Sequence, residues 1–356
     1  MQTRDVMISV CITTRNRAGF IGQTLESIIS QAGDNIEIVI VDGASTDNTA
    51  EVVEGYKRRF NNLVYHCEEK NHGVDRDMAT CIEMARGQYC WLLSDDDLLK
   101  PGALGRVLKD LESRCEIYIC NATRCSKSLE PVRENFWLSR DIGDRIFCLH
   151  KKNDFIEYCG LANSIGALFS FWSTTIFNRR EWLKTGFIDD FDGSAYAMAS
   201  TLLSFIQREC RLKYIQSSLV LWRDNDVTFS HQAGLINRFL LDFNGYLKLA
   251  DTYLNDDREM KKAFLNVMTR EHPWYTIIHV TSYIDSRVVW QQFRATMLKF
   301  GYNPRAADVC YALGRCRGLV SWGVKLKRMI VKNCFPRKAA AFFQGRQGPR
   351  EDPPLF

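Results

Sequence analysis

The chain has 356 residues, 46% of them hydrophobic and 25% charged, with a net charge of +5. That balance excludes a low-complexity or disordered polymer and leaves room for one large globular domain with an appendix. Thirteen cysteines without a CxxC pair exclude a zinc ribbon and are expected to be reduced, mostly buried thiols of a cytoplasmic protein. The opening MQTRDVMISVCITT goes straight into a strand pattern and shows no signal peptide, so secretion is not expected.

In chain order, residues 7–13 (MISVCIT) predict a first strand, and Phe20, Ile21, Leu25, Ile28 and Ile29 a helix that Gly33 ends. Residues 36–41 (IEIVIV) form a second, almost wholly apolar strand, which implies a parallel sheet covered by helices on both faces. It runs into Asp42-Gly43-Ala44-Ser45-Thr46-Asp47, where Ser45, Asp47 and Asn48 are available to cap the next helix. A short strand at 63–66 and a helix at 77–86 lead to a fourth strand at 89–93 (YCWLL). This alternation is the doubly wound α/β pattern with right-handed crossovers.

The fourth strand ends in Asp95, Asp96 and Asp97. At the carboxyl edge of an open α/β sheet, three adjacent carboxylates suit a hard cation, Mg²⁺ or Mn²⁺, that in turn holds phosphates. The other reading is an acidic turn before the helix that Pro101 opens, with Leu104, Val107, Leu108 and Leu111 on its apolar face. Further on, residues 116–120 alternate as a strand, and 121–152 read as a polar, irregular insertion that includes Trp137. Residues 158–178 are uncharged and long enough to cross a bilayer, but Asn163, the Ser and Thr residues and two internal glycines favour buried strand and loop.

The set ISVCITTRNR, IVIVDGASTDNT and KNHGVDRDMATCIEMARGQYCWLLSDDDLLKP resembles the nucleotide-binding half of GT-A glycosyltransferases of family 2. The resemblance implies that Thr13 and Asp42 contact the nucleobase and ribose of a nucleotide-sugar donor. It implies that Arg15, Arg76 and Asp95 belong to the same donor site. It also implies that Asp96 and Asp97 hold the divalent ion, with Asp97 the direct ligand. A sugar nucleotidyltransferase would need a glycine-rich basic loop after the first strand, and residues 13–17 contain no glycine.

Members of this family place an acidic residue some way beyond a Gly-Phe-Asp-Glu-like turn, here matched by Gly186-Phe187-Ile188-Asp189-Asp190. The expected base falls at Met198, and a thioether cannot accept a proton at neutral pH. Three explanations stay open: the base is Asp189, Asp190 or Asp192; the chain is a substituted or inactive form; or the reaction retains configuration and needs no such base.

VLWRDNDVTF (220–229), DFNGYLKLADTYL (242–254) and KKAFLNVMTREHPW (261–274) are similar to bacterial O-antigen abequosyltransferases. This implies CDP-abequose as donor and a mannose-containing undecaprenyl-diphosphate oligosaccharide as acceptor, with Trp137, Arg223, Asp226, Glu271 and Trp274 on the acceptor side. The expected organisation is a GT-A domain over 1–230, divided into donor (1–115) and acceptor (116–230) parts. A helical region follows over 231–335, and a tail over 336–356.

In the helical region, Ile236, Leu240, Phe243, Leu247, Ala250 and Leu254 predict one apolar stripe. Residues 309–350 carry ten Lys or Arg and no acid, twice the net charge, so the remainder of the chain is net acidic. The segment 315–338 reads as a basic amphipathic helix, with Trp322 on its apolar side, suited to the anionic inner face of a bacterial plasma membrane. Nucleic-acid binding is not expected, since no such signature accompanies the basic residues.

Overall fold

A computed structural model describes residues 6–224 and 234–315. Its centre is a mixed, mostly parallel sheet in the order β3-β2-β1-β4-β9-β6-β10-β5. β1 (Ile8–Thr14), β2 (Ile36–Asp42), β3 (Leu63–Cys67) and β4 (Tyr89–Leu92) are parallel neighbours. Every residue of β2 and β4 is buried, the reason both read as continuous apolar runs.

Crossover helices α1 (Ile21–Ile29), α2 (Thr49–Lys57) and α3 (Val74–Met84) cover this half. α3 begins three residues before the predicted 77–86 and so brings Asp75 and Asp77 into its first turn, where carboxylates suit the positive end of the helix. The chain order β1, β2, β3 runs one way across the sheet, then returns to the other side of β1 for β4. The switch point therefore lies between β1 and β4, where open α/β sheets bind ligands outside their carboxyl ends.

The second half corrects one expectation. Residues 121–152 are not wholly irregular: they contain the end of β6 (Ile117–Cys125), β7 (Pro131–Asn135), which pairs with it, and β8 (Arg145–Cys148), which pairs with β10 (Arg211–Arg223). Polar Asn121 sits in a buried strand because its amide donates to Tyr214 Oη (2.7 Å) and to the Gln216 carbonyl (2.8 Å). β9 (Thr175–Asn178) is antiparallel to both β4 and β6, and β5 (Leu98–Leu99) closes the edge against β10.

Residues 158–178 are the end of helix α5 (Lys152–Leu161; α4 is Ala103–Asp110), two 3₁₀ turns and β9. Among the described residues no helix is long and apolar enough to cross a membrane. The cysteines among them are free, and most are buried.

α6 (Arg179–Thr185) and α7 (Ala197–Ser204) precede β10, and the helical region consists of α8 (Leu235–Tyr253), α9 (Arg258–Glu271), α10 (Trp274–Thr281), α11 (Arg287–Lys299) and α12 (Pro304–Arg315). The buried apolar residues of α8 are Phe239, Phe243, Tyr246, Leu249 and Ala250, followed by Leu254; of the predicted stripe Phe243, Ala250 and Leu254 are buried, and Ile236, Leu240 and Leu247 are only partly covered. Gly245 of this helix lies against the Tyr196 ring; a Cβ there would be 2.3 Å from that ring. Asp226 and the basic segment from residue 316 onward lie outside the described residues.

Candidate functional site

The loops after β1, β2 and β4 are stitched together at the carboxyl edge. Asn16 accepts from Thr46 N (2.7 Å) and donates its own N–H to Ser45 Oγ (2.9 Å), while Ala18 N donates to Asp47 (3.2 Å). Arg17 N donates to Thr49 Oγ1 (2.9 Å), and its guanidinium crosses the switch point to lie 3.5 Å from Asp95. Asp42 is fully buried at the end of β2, accepting from Ser45 N and from the Tyr65 hydroxyl, both at 2.8 Å. Its carbonyl holds Glu68 N at 2.8 Å, which fixes the exit from β3.

The acidic turn after β4 is braced from three sides. Ser173, in the 3₁₀ turn Trp172–Thr174, donates its hydroxyl to Asp97 Oδ2 and accepts from Ser94 N at 3.1 Å. Ser94 Oγ donates to Asp96 Oδ1 at 2.7 Å, and Asp97 Oδ1 accepts from Arg223 N at 3.0 Å. Burial, with Asp96 beside it, pushes the Asp97 carboxyl well above the usual range and the Asp95 carboxyl up to about 7. Asp96 and Asp97 are adjacent carboxylates that raise one another's cost of ionisation, and their oxygens are the ligand type that Mg²⁺ or Mn²⁺ takes, so this pair fits such an ion.

Arg223, expected on the acceptor side, is 6% exposed and committed inward. Its Nε donates to the Asp96 carbonyl (2.9 Å), Nη1 to the Lys127 carbonyl (2.8 Å) and Nη2 to Gln23 Oε1 (2.5 Å). It is a buckle for the acidic turn. Trp137 is likewise a core residue, 6% exposed, with its indole N–H on Thr174 Oγ1 (3.1 Å) and its ring against Gly166. Internal partners claim the polar atoms of both side chains.

Met198 is 1% exposed in the hydrophobic core of α7. It presents neither a proton acceptor nor an open face. In the preceding turn, Arg76 joins α3 to Asp189 (Nη2 to Oδ1, 2.6 Å) and Asp192 (Nε to Oδ2, 2.8 Å), with its guanidinium over the Phe187 ring. Asp190 is exposed, and its carbonyl accepts from Lys248.

On the helical side, Glu271 accepts from Ile165 N at 2.7 Å, and burial pushes its carboxyl up to about 7. Trp274 heads α10 at 37% exposure, edge-on to Tyr302 at 5.0 Å. Thr13 pairs with Val41 in the β1–β2 ladder, and Arg15 lies close enough to Asp77 to favour its charged form.

Two residues escaped the sequence reading. Asp75 and Asp77 are 2% and 4% exposed, each has an oxygen without a hydrogen-bond donor, and burial pushes both carboxyls up to about 6. The signal was the GVDRD string at 73–77: two acids one residue apart at a helix start, where only one can face solvent on a covered helix.

Residues 9–174 match the family described as Glycosyl transferase family 2. The chain is 33% identical over 288 residues to the abequosyltransferase RfbV of Salmonella typhimurium, covering 79% of this chain and 86% of that one. It is 31% identical over 115 residues to the putative glycosyltransferase EpsH of Bacillus subtilis, 32% of this chain and 33% of that one. Among solved structures it resembles S. aureus TarS 1-349 in complex with UDP-GlcNAc, with a TM-score of 0.62 and 14% identity over 96% of this chain and 93% of that one. At that identity the likeness is one of fold, the GT-A architecture with a helical C-terminal region.

Proposed function

We propose, from the premise that this chain belongs to glycosyl transferase family 2, that it transfers a 3,6-dideoxyhexose, abequose from CDP-abequose, to a mannose-containing undecaprenyl-diphosphate oligosaccharide in O-antigen synthesis. The observation that carries the transferase reading is the braced acidic turn Asp95 to Asp97 at the switch point of the sheet. The abequosyl donor is favoured by the relative that shares most of the chain's length.

In this reading Asp42, Thr13 and Arg15 hold the nucleoside end of the donor and Arg76 stands near it. Asp96 and Asp97 hold Mg²⁺ or Mn²⁺, which supplies positive charge to the diphosphate as the sugar bond breaks. Ser173 and Arg223 keep the Asp97 carboxylate aimed before the donor arrives, so little reorganisation accompanies bond breaking. An inverting transfer needs a carboxylate to take the acceptor hydroxyl's proton. Asp189 and Asp192 are engaged by Arg76, whereas no ion pair joins the Asp190 side chain among the described residues. Asp190 is therefore our choice of proton acceptor, and Trp274 of an acceptor contact.

The protein would work as a peripheral protein on the cytoplasmic face of the plasma membrane, through residues 315–338. Exposed Val309 and Leu313 share one face of α12 just before this basic segment, and Tyr275 and Tyr283 are exposed nearby in sequence to α10, which supports the reading. A second reading, a sugar-nucleotide-binding relative without turnover, is favoured by the burial of Met198.

A turnover assay separates the two readings. The chain is given Mn²⁺, a panel of CDP-, UDP-, GDP- and dTDP-sugars and a mannose-terminated lipid-linked acceptor, and free nucleotide and product anomer are followed. Transfer from CDP-abequose with inversion is expected. Donor binding without release of nucleotide would establish the inactive form, and retention would remove the need for Asp190.

A further inference from the structure

The exit from β3 and the start of α3 bring together a second group of ligating side chains, on the far side of β1 and β2 from the acidic turn. One ligand atom from each of Glu68, His72 and Asp77 lies within 4.8 Å of the other two. His72 Nδ1 is 3.5 Å from Glu68 Oε2, and the other Glu68 oxygen is 3.6 Å from His66 Nε2. Asp77 is 4% exposed, and its Oδ1 is buried with no hydrogen-bond donor. A buried carboxylate oxygen left without a donor is costly unless something outside the chain satisfies it.

The backbone holds this group in place. Glu68 N is tied to the Asp42 carbonyl at 2.8 Å, Gly73 N to Asn71 Oδ1 at 3.0 Å, and Asp77 N to the Gly73 carbonyl at 3.0 Å. Gly43 makes the approach of Asp77 possible, since a Cβ there would stand 2.6 Å from Asp77 Oδ2. The charges have the same sense: Glu68 and Asp42 both disfavour ionisation of Asp77, and His72 and Arg15 oppose them.

We propose that Glu68, His72 and Asp77 form a transition-metal site, distinct from the carboxylates after β4, that takes a divalent ion of the Zn²⁺ class. One imidazole nitrogen and two carboxylates suit Zn²⁺, whose sites use His nitrogen with Asp or Glu oxygen, and three protein ligands leave a position for water. Mg²⁺ prefers all-oxygen surroundings and keeps its waters, so it belongs at Asp96 and Asp97 and competes poorly here. The two sites therefore sort cations by ligand chemistry. A metal at Glu68, His72 and Asp77 would clamp the β3–α3 connection beside Asp42, and the proposal does not depend on which sugar is transferred.

The test is equilibrium dialysis of the metal-stripped full chain against Zn²⁺ in excess Mg²⁺, with bound zinc counted by mass spectrometry and the fold checked by circular dichroism. The wild type and Asp97→Asn should each retain one Zn²⁺ per chain. His72→Ala and Asp77→Asn should lose at least about tenfold in affinity, no less than the loss of an outer-shell partner brings. If Asp77→Asn does not fold, His72→Ala alone decides, because the His72 side chain is 41% exposed and its removal leaves the core intact. No retained zinc in the wild type, zinc lost with Asp97→Asn, or zinc kept at full affinity by His72→Ala would each overturn the proposal.

Discussion

The two ends of the central sheet treat buried carboxylates in opposite ways. At the amino edge Glu37, 0% exposed inside β2, accepts from Ser9 Oγ, from Arg86 N, from Arg86 Nε at 2.8 Å and from Gly87 N at 3.2 Å. At the carboxyl edge Asp75 and Asp77 each keep an oxygen without a donor, and Asp95 and Asp97 hold their protons to abnormally high pH. A fold that can satisfy a buried acid completely at one end does not leave the two of Asp75 and Asp77 under-satisfied at the other for want of donors. The difference separates carboxylates that hold the sheet together from carboxylates arranged for a ligand.

The strongest way to break the comparison is at Glu37. Glu37→Ala takes the carboxylate from the buried donors of Ser9 and Gly87 and should lower stability by about 3–5 kcal/mol, at about 1.5–3 kcal/mol for each hydrogen bond to a charged group, read as a fall in the denaturation midpoint. An unchanged midpoint would mean the amino edge is no structural clasp. Asp97→Asn should do the reverse: stability of the metal-free protein holds or rises, because a buried unfavourable charge is gone, while turnover falls about 10²–10³-fold. Arg223→Lys sits between the two classes, since it breaks three hydrogen bonds under the acidic turn. A loss of about 1.5–3 kcal/mol together with weaker metal binding is expected, and loss of stability alone would make Arg223 purely a core residue.

The smallest effect is expected away from both edges, at Glu271. Its folded carboxyl sits at about 7, above the ordinary 4.5, so the folded protein keeps a proton that the unfolded chain releases. Stability from this group is complete below about pH 4.5 and falls as pH rises towards 7. Glu271→Gln should raise the thermal midpoint at pH 8 and leave it unchanged at pH 4; the same shift at both pH values would assign the effect to packing.

The donor half was legible in the sequence because its strands are buried on both faces, so IEIVIV and YCWLL could be little else, and because Asp42 and Asp95 to Asp97 follow such strands directly. The acceptor half was harder to read. Trp137, Arg223 and Met198 are residue types that serve core and site equally, and only the partners on Thr174, Asp96 and α7 show that they are internal. A helix predicted from 77 leaves Asp75 outside it and Asp77 at its exposed first position, whereas the observed start at Val74 covers both. The buried face of α8 depends on what packs against it, including the remote contact of Gly245 with the Tyr196 ring, which no periodicity contains.

The most direct test of the carboxyl edge as a metal-dependent donor site is calorimetric titration of the full chain with CDP-abequose, with Mn²⁺ and with EDTA, beside the Asp97→Asn variant. The account predicts donor binding by the wild type that requires Mn²⁺ and is lost in the variant while its circular dichroism is unchanged. Equal donor affinity in EDTA, or in Asp97→Asn, would contradict it.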